Sequence, residues 1–247
     1  VSAITDDDFD IDILVPPGSS PESYSPTPRQ MAELNSSKLF FYIGTLEFEH
    51  EIVERLDKKT VMAFDASKGV NFIKGSHNHS GHKEHSVGVD PHIWLSPYEL
   101  EKIANNIGTA ICEAYPDSVR YKTNLQKLIL SIRSRQDNYS QLFSKGVPHS
   151  FVIYHPALAY LARDYGLNQI SIENEGKNTT SSALMTLSDS VKNNHIKVLI
   201  YQSEYPIDAV KPIADELGLK PLEINVLSDD ILNEMDTIVN IIINSSK

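Results

Sequence analysis

The sequence predicts an α/β protein in which two halves, each alternating strand and helix, flank one long helix. Two observations carry this. Short apolar runs of strand length, among them KLFFYI, SFVIY, VLIY and PLEINV, are each followed by a helix-length segment. Such strands need crossover connections, so they form parallel sheets with helical cover. Between Asp117 and Lys145 there is neither glycine nor proline, and Leu125, Leu128, Ile129 and Ile132 recur at helical spacing.

In the first half, Ile11–Val15 reads as a short strand stopped by Pro16-Pro17-Gly18. A Pro/Ser-rich turn leads to a short helix from Pro28. Lys38–Ile43 reads as a buried strand, Glu49–Leu56 as a helix and Val61–Ala66 as another strand. Ser96-Pro97 opens a helix to Tyr115, since serine at the N-cap and proline at the first turn are both favoured. The long helix follows, about 40 Å at 1.5 Å per residue, and Gly146 and Pro148 end it. In the second half, strands are expected at Ser150–Tyr154, Gln169–Ile172, Val198–Tyr201 and Pro221–Val226. Helices are expected at Pro156–Tyr165, Ser182–Asn194, Ala209–Leu217 and Asp229–Asn244. The domain boundaries read as an N-terminal lobe 1–116, a linking helix 117–146 and a C-terminal lobe 147–247.

The 247 residues carry 33 acids against 22 bases, a net charge of −11, which argues against a nucleic-acid partner because phosphate binding needs a basic surface. No run approaches the roughly 18–20 apolar residues of a spanning helix. The opening VSAITDDDFDIDILVPPG carries no secretory leader and reads as a mature or trimmed start. The single cysteine, Cys112, excludes an intramolecular disulfide and a cysteine-cluster metal site; its apolar helical neighbours assign it to packing.

The chemistry concentrates in HNHSGHKEHSVGVDPHIWLSP. Four histidines, His77, His79, His82 and His85, fall within nine residues of a polar loop at 76–88, and His92 follows ahead of the only tryptophan. Imidazole is the commonest ligand for zinc and its neighbours, so the run reads as a loop that collects metal transiently and leads to a fixed ligand. In parallel sheets ligands bind beyond the carboxyl ends of strands. The metal-capable residues found there are His155 after FVIY, Gln202 and Glu204 after VLIY, Asn225, Asp229 and Asp230 at or just past the end of PLEINV, and Glu22 a few residues past the first predicted strand. Taken singly, each has a plainer reading: a hydrogen-bonded loop histidine, an exposed acid, or negative charge favoured at a helix start.

VPPGSSPESYSPTPRQM, GVDPHIWLSP and YHPALAYLARDYGL, in that order around an uninterrupted helix, resemble the metal-binding proteins that deliver zinc or manganese to ABC importers. The resemblance spans almost the whole chain. It implies two Rossmann-like lobes joined by a rigid backbone helix, with one metal in the interlobe cleft. It places Glu22, where many relatives have histidine, with His92 and His155 as ligands. Asn225 stands at the usual position of an acidic fourth ligand, so Asp229 is the expected fourth donor, with Asp230 or water as alternatives. Gln202 stands where relatives often have a glutamate behind the ligands, and Trp94 is expected to pack beneath the site. The implied protein is no enzyme. It is a monomer of the bacterial periplasm or cell surface, lipid-anchored in some relatives, that hands Zn²⁺ to a membrane permease. Two histidines plus carboxylates also suit manganese, but the histidine-rich loop favours zinc. A zinc hydrolase is the alternative from another class; it needs an open coordination position and a general base, and no HExxH stands in the sequence. A surface adhesin with a structural metal is a third.

Overall fold

The computed structural model describes residues 1–74, 88–144, 150–173 and 181–246. The histidines at 77, 79, 82 and 85 lie outside the described residues. The chain forms two compact units, Val1–Ser134 and Arg135–Lys247.

In the first unit, α1 (Ser2–Thr5) and α2 (Pro28–Leu34) precede β1 (Leu39–Tyr42), α3 (Glu47–Arg55) and β2 (Met62–Asp65). Proline at the first turn and Thr27 start α2. The Thr27 hydroxyl accepts from the backbone N–H of Gln30, and the Gln30 side chain accepts from that of Thr27. β1 and β2 pair in parallel, Leu39 opposite Met62 through Tyr42 opposite Asp65. A core of Leu34, Phe40, Leu46, Phe48, Ile52, Leu56 and Val61 packs helices against this ribbon. The 18-residue α4 (Pro97–Ala114) starts on Ser96, whose hydroxyl accepts from Glu99 N–H. The 25-residue α5 (Val119–Phe143) then carries the chain into the second unit. Gly108 of α4 has the Leu125 side chain pressed against it; a Cβ there would stand 2.5 Å from a Leu125 methyl. Cys112 joins the apolar cluster around Ile111 and Tyr121, as its sequence context suggests.

The second unit holds β3 (Ser150–Ile153), α6 (Ala159–Tyr165), β4 (Asn168–Ser171), α7 (Ser181–Asn193), β5 (Val198–Gln202), α8 (Ile207–Leu217), β6 (Lys220–Ile224) and α9 (Ile231–Asn244). The strands form one parallel sheet in the order β4-β3-β5-β6. β3 is fully buried, which explains its unbroken apolar run. Val152, Leu199, Tyr201, Val210 and Ala214 form its core with Leu187 and Val191 of α7. Helix α6 ends on Gly166 and α8 on Gly218, both at positive φ, the left-handed cap that glycine adopts without a side-chain clash. Both sheets are thus parallel and helix-covered, and the long helix links them along the chain, as expected.

The sequence misleads at one element. Ile11–Val15 forms no strand. Ile11 and Ile13 are exposed, and the segment shares with β1 the lining of a cavity of about 600 Å³. Its alternation of isoleucine with aspartate mimics a half-buried strand, but the two isoleucines face solvent. The Leu14 carbonyl accepts from Gln30 Nε2 of α2 at 2.8 Å, and the Leu14 and Val15 side chains pack against the core of the unit. Among the described residues no helix is long and apolar enough to cross a membrane.

Candidate metal centre

In the first unit the metal-capable residues rest on two short turns. Pro16-Pro17-Gly18 leads into a 3₁₀ turn, Pro21–Ser23, that carries Glu22. The second turn begins at Asp90. Its backbone N–H bonds to Ile73 O, next to an antiparallel bridge between Lys74 and Val89. His92 follows Pro91 and leads into a 3₁₀ turn, Ile93–Leu95, whose Ile93 and Leu95 are wholly buried anchors ahead of α4.

This arrangement fixes the His92 ring. Asp90 Oδ1 accepts from the His92 backbone N–H at 2.9 Å and from ring Nδ1 at 2.9 Å. A carboxylate can only accept, so Nδ1 carries the proton and Nε2 keeps the lone pair that a metal uses. His92 Nε2 lies 3.9 Å from Glu22 Oε1. Two donors on tetrahedral zinc, each about 2.1 Å from the ion, stand about 3.4 Å apart. A shift of a few tenths of an ångström brings this pair onto one ion. Trp94 packs its ring 5.5 Å from that of His92.

In the second unit the site grows from the sheet. The chain leaves β3 for a neighbour on one side, β4, and later returns on the other side as β5. The order therefore reverses between β3 and β5, where ligands collect in such sheets. His155 lies just beyond β3, and Gln202 ends β5 beside it. Gln202 is 1% exposed. Its Nε2 donates to His155 O at 2.6 Å and its Oε1 accepts from His155 N. Glu173, two residues past β4, accepts from His155 Nδ1 at 2.7 Å. Its own N–H donates to Tyr154 O, which locks it level with His155. Tyr205 lays its ring near that of His155 and donates its hydroxyl to the same Glu173 oxygen at 3.3 Å. The Tyr154 phenol is pushed above its usual range by burial and by the negative charge of Glu173. His155 thus has the same tautomer as His92, with Nε2 as the nitrogen able to ligate a metal.

The other expected residues fall as follows. Asp229 is exposed in the turn ahead of α9. Asp230 caps α9, accepting from the backbone N–H and the side-chain amide of Asn233. Asn225 accepts from Leu227 N–H, and its own N–H donates to Glu234. Sequence reasoning missed Asp90 and Glu173. Asp90 had a local signal, an acid two residues before a candidate ligand. Glu173 sits at the carboxyl end of a strand, the criterion applied elsewhere, but reads as the first residue of a polar loop.

Comparison with known proteins places these features in a family. Residues 1–244 match the profile of the zinc-uptake complex component A, periplasmic. The chain is 28% identical over 247 residues to the zinc-binding protein AdcA of Streptococcus pyogenes serotype M18, covering 92% of this chain and 48% of the relative. It is 29% identical over 250 residues to the high-affinity zinc uptake system protein ZnuA of Bacillus subtilis, covering 94% of this chain and 76% of that one. The chain thus spans about half the length of the streptococcal relatives it matches. The crystal structure of a ZnuA superposes with a TM-score of 0.87 at 27% identity, covering 100% of this chain and 94% of that one. A zinc-bound ZnuA deletion mutant superposes with a TM-score of 0.86 at 27% identity, covering 100% and 93%. Two helix-covered parallel sheets, the DPHIW turn with its anchored histidine, and a match running from the first residue to the last helix have one common account: the chain belongs to the ZnuA family of periplasmic zinc-uptake components.

Proposed function

We propose that this protein captures Zn²⁺ outside the cytoplasm and delivers it to the membrane permease of an ABC importer, acting as a carrier and not as an enzyme. Glu22, His92 and His155 together hold the ion, each supplying one donor. The observation that carries this reading is that each unit presents one buried histidine whose Nδ1 is bound by a carboxylate, leaving Nε2 as the metal-binding atom. Asp229 is the fourth donor in this proposal, with Asp230 or water as alternatives. Asp230 is the poorer choice because both of its oxygens are engaged at the start of α9. His77, His79, His82 and His85 collect the ion and pass it inward. The lobes are 1–116 and 147–247, linked by the helix at 117–146, and the protein works as a monomer in the periplasm or anchored at the cell surface. Zinc is favoured over manganese by the imidazole-rich collecting run and by relatives named for zinc binding and zinc uptake.

Titration calorimetry on a His92→Ala, His155→Ala double variant tests the site. Native protein is expected to take up one equivalent of zinc tightly and the variant to lose that binding. Unchanged tight binding in the variant would remove the proposed ligands.

A further inference from the structure

Glu173 lies outside the proposed ligand set, yet its carboxylate accepts from the ring nitrogen of His155 that faces away from a Nε2-bound metal. We propose that Glu173 is a positioning residue for zinc capture, one that holds the metal-free His155 ring in the tautomer and rotamer that binds the ion. The inference rests on the reading of His155 as a ligand. Three features support it.

The first is rigidity. The backbone N–H of Glu173 bonds to Tyr154 O, and Ser171 stands opposite Ile153 in the β3–β4 ladder. Two residues further on, Glu173 stands opposite His155. The carboxylate therefore reaches the ring from a strand-held position. The second is a shared acceptor: Glu173 Oε2 takes both His155 Nδ1 and the Tyr205 hydroxyl, and Tyr205 also lines one face of the imidazole. The ring is bounded by a plane on its face and a charge at its edge, which leaves one orientation. The third is independence from Gln202, which grips only the backbone of His155. Gln202 sets where the residue sits, and Glu173 sets which nitrogen is presented.

A carboxylate on Nδ1 also raises the donor strength of Nε2, and loss of such a partner typically weakens metal binding about 10–100-fold. Glu173→Leu keeps much of the volume and removes the acceptor; Glu173→Gln keeps an acceptor and removes the charge. Long-range ¹H–¹⁵N correlation spectra of the metal-free full chain report the tautomer of each histidine. Competition with a zinc-binding fluorophore reports affinity. The native His155 is expected to show the Nδ1–H form. Glu173→Leu should lose that preference and bind zinc about 10–100-fold more weakly, and Glu173→Gln should fall between it and the native protein. If Glu173→Leu fails to fold, the Gln variant carries the test with the same two readouts. Retention of both the Nδ1–H form and native affinity overturns the inference. His155→Ala keeps the two readings apart: native affinity in that variant refutes the ligand assignment itself.

Discussion

Replacing Asp90 by alanine tests whether the first unit prepares its ligand before metal arrives. Asp90 Oδ1 accepts two bonds from one residue, the backbone N–H and the ring Nδ1–H of His92, both at 2.9 Å. His92 is 4% exposed, so water cannot readily take the place of the lost acceptor. A buried donor left without its acceptor costs about 1–3 kcal/mol, and two of them sharing some relaxation give about 2–4 kcal/mol of lost stability. Zinc binding should suffer separately, by about 10–100-fold or about 1.4–2.7 kcal/mol, because the ring is free to turn and its Nε2 is a weaker donor. Urea unfolding with chelator present measures the first quantity, and fluorophore competition for zinc measures the second. Asp90→Asn, which keeps a carbonyl oxygen but not the charge, should lie between alanine and the native protein in both. Native zinc affinity in Asp90→Ala would refute the argument, since it would mean that the carboxylate neither orients the ring nor tunes it.

Two further outcomes concern the scaffold. Tyr139→Phe removes a hydroxyl that donates to Asp236 Oδ1 at 2.5 Å from a side chain that is 1% exposed. Asp236 keeps Arg135, so the loss should be that of one bond to a charged acceptor, about 1.5–3 kcal/mol in urea unfolding. Burial and Asp236 push the Tyr139 phenol well above its ordinary range. The folded state therefore holds that proton more tightly than the unfolded one. Its contribution is complete below the unfolded value of about 10 and is lost as pH rises beyond it. The phenylalanine variant should show a flatter alkaline limb in stability against pH. Gly108→Ala should destabilise despite better helix propensity. The gain is about 1 kcal/mol, but the new methyl meets three Leu125 side-chain atoms at 3.0 Å or less, and overpacking of this kind costs about 1–3 kcal/mol. Gly108→Ala combined with Leu125→Ala should recover part of that specific loss, which thermal melts of the single and double variants will resolve.

Most of the secondary structure was legible because it rests on local rules. The caps at Thr27 and Ser96, the left-handed glycines 166 and 218, and the buried run of β3 each leave a mark in a few consecutive residues. Ile11–Val15 shows where that logic stops. Its alternation satisfies the period-2 rule, but a strand exists only if a neighbour's edge accepts it, and that edge lies some 25 residues further along the chain. The same distinction separates the carboxylates behind the two candidate ligands: His92 and His155 were each identifiable from their neighbours, but of their Nδ1 partners only Asp90 is local in the chain.

The two carboxylates differ in how they reach their histidines, and this difference decides what the sequence can reveal. Asp90 is two residues from His92, so a single turn brings acceptor and ring together whatever the rest of the unit does. Glu173 is 18 residues from His155, and it arrives only because β4 pairs beside β3 with Ser171 opposite Ile153. A one-residue slip in that register would turn Glu173 to the other face of the strand and remove it from the ring. With His155 as a ligand, as proposed, sheet register in the second unit becomes part of the metal chemistry. A substitution that loosens the β3–β4 pairing should weaken zinc binding without touching any residue within reach of the ion. Ile170→Ala is such a change: Ile170 pairs with Val152 in that ladder and packs against the core of the second unit. Its removal should lower stability and shift the His155 ring resonances while leaving those of His92 in place. Equal shifts at both histidines would show that the two rings are not prepared separately.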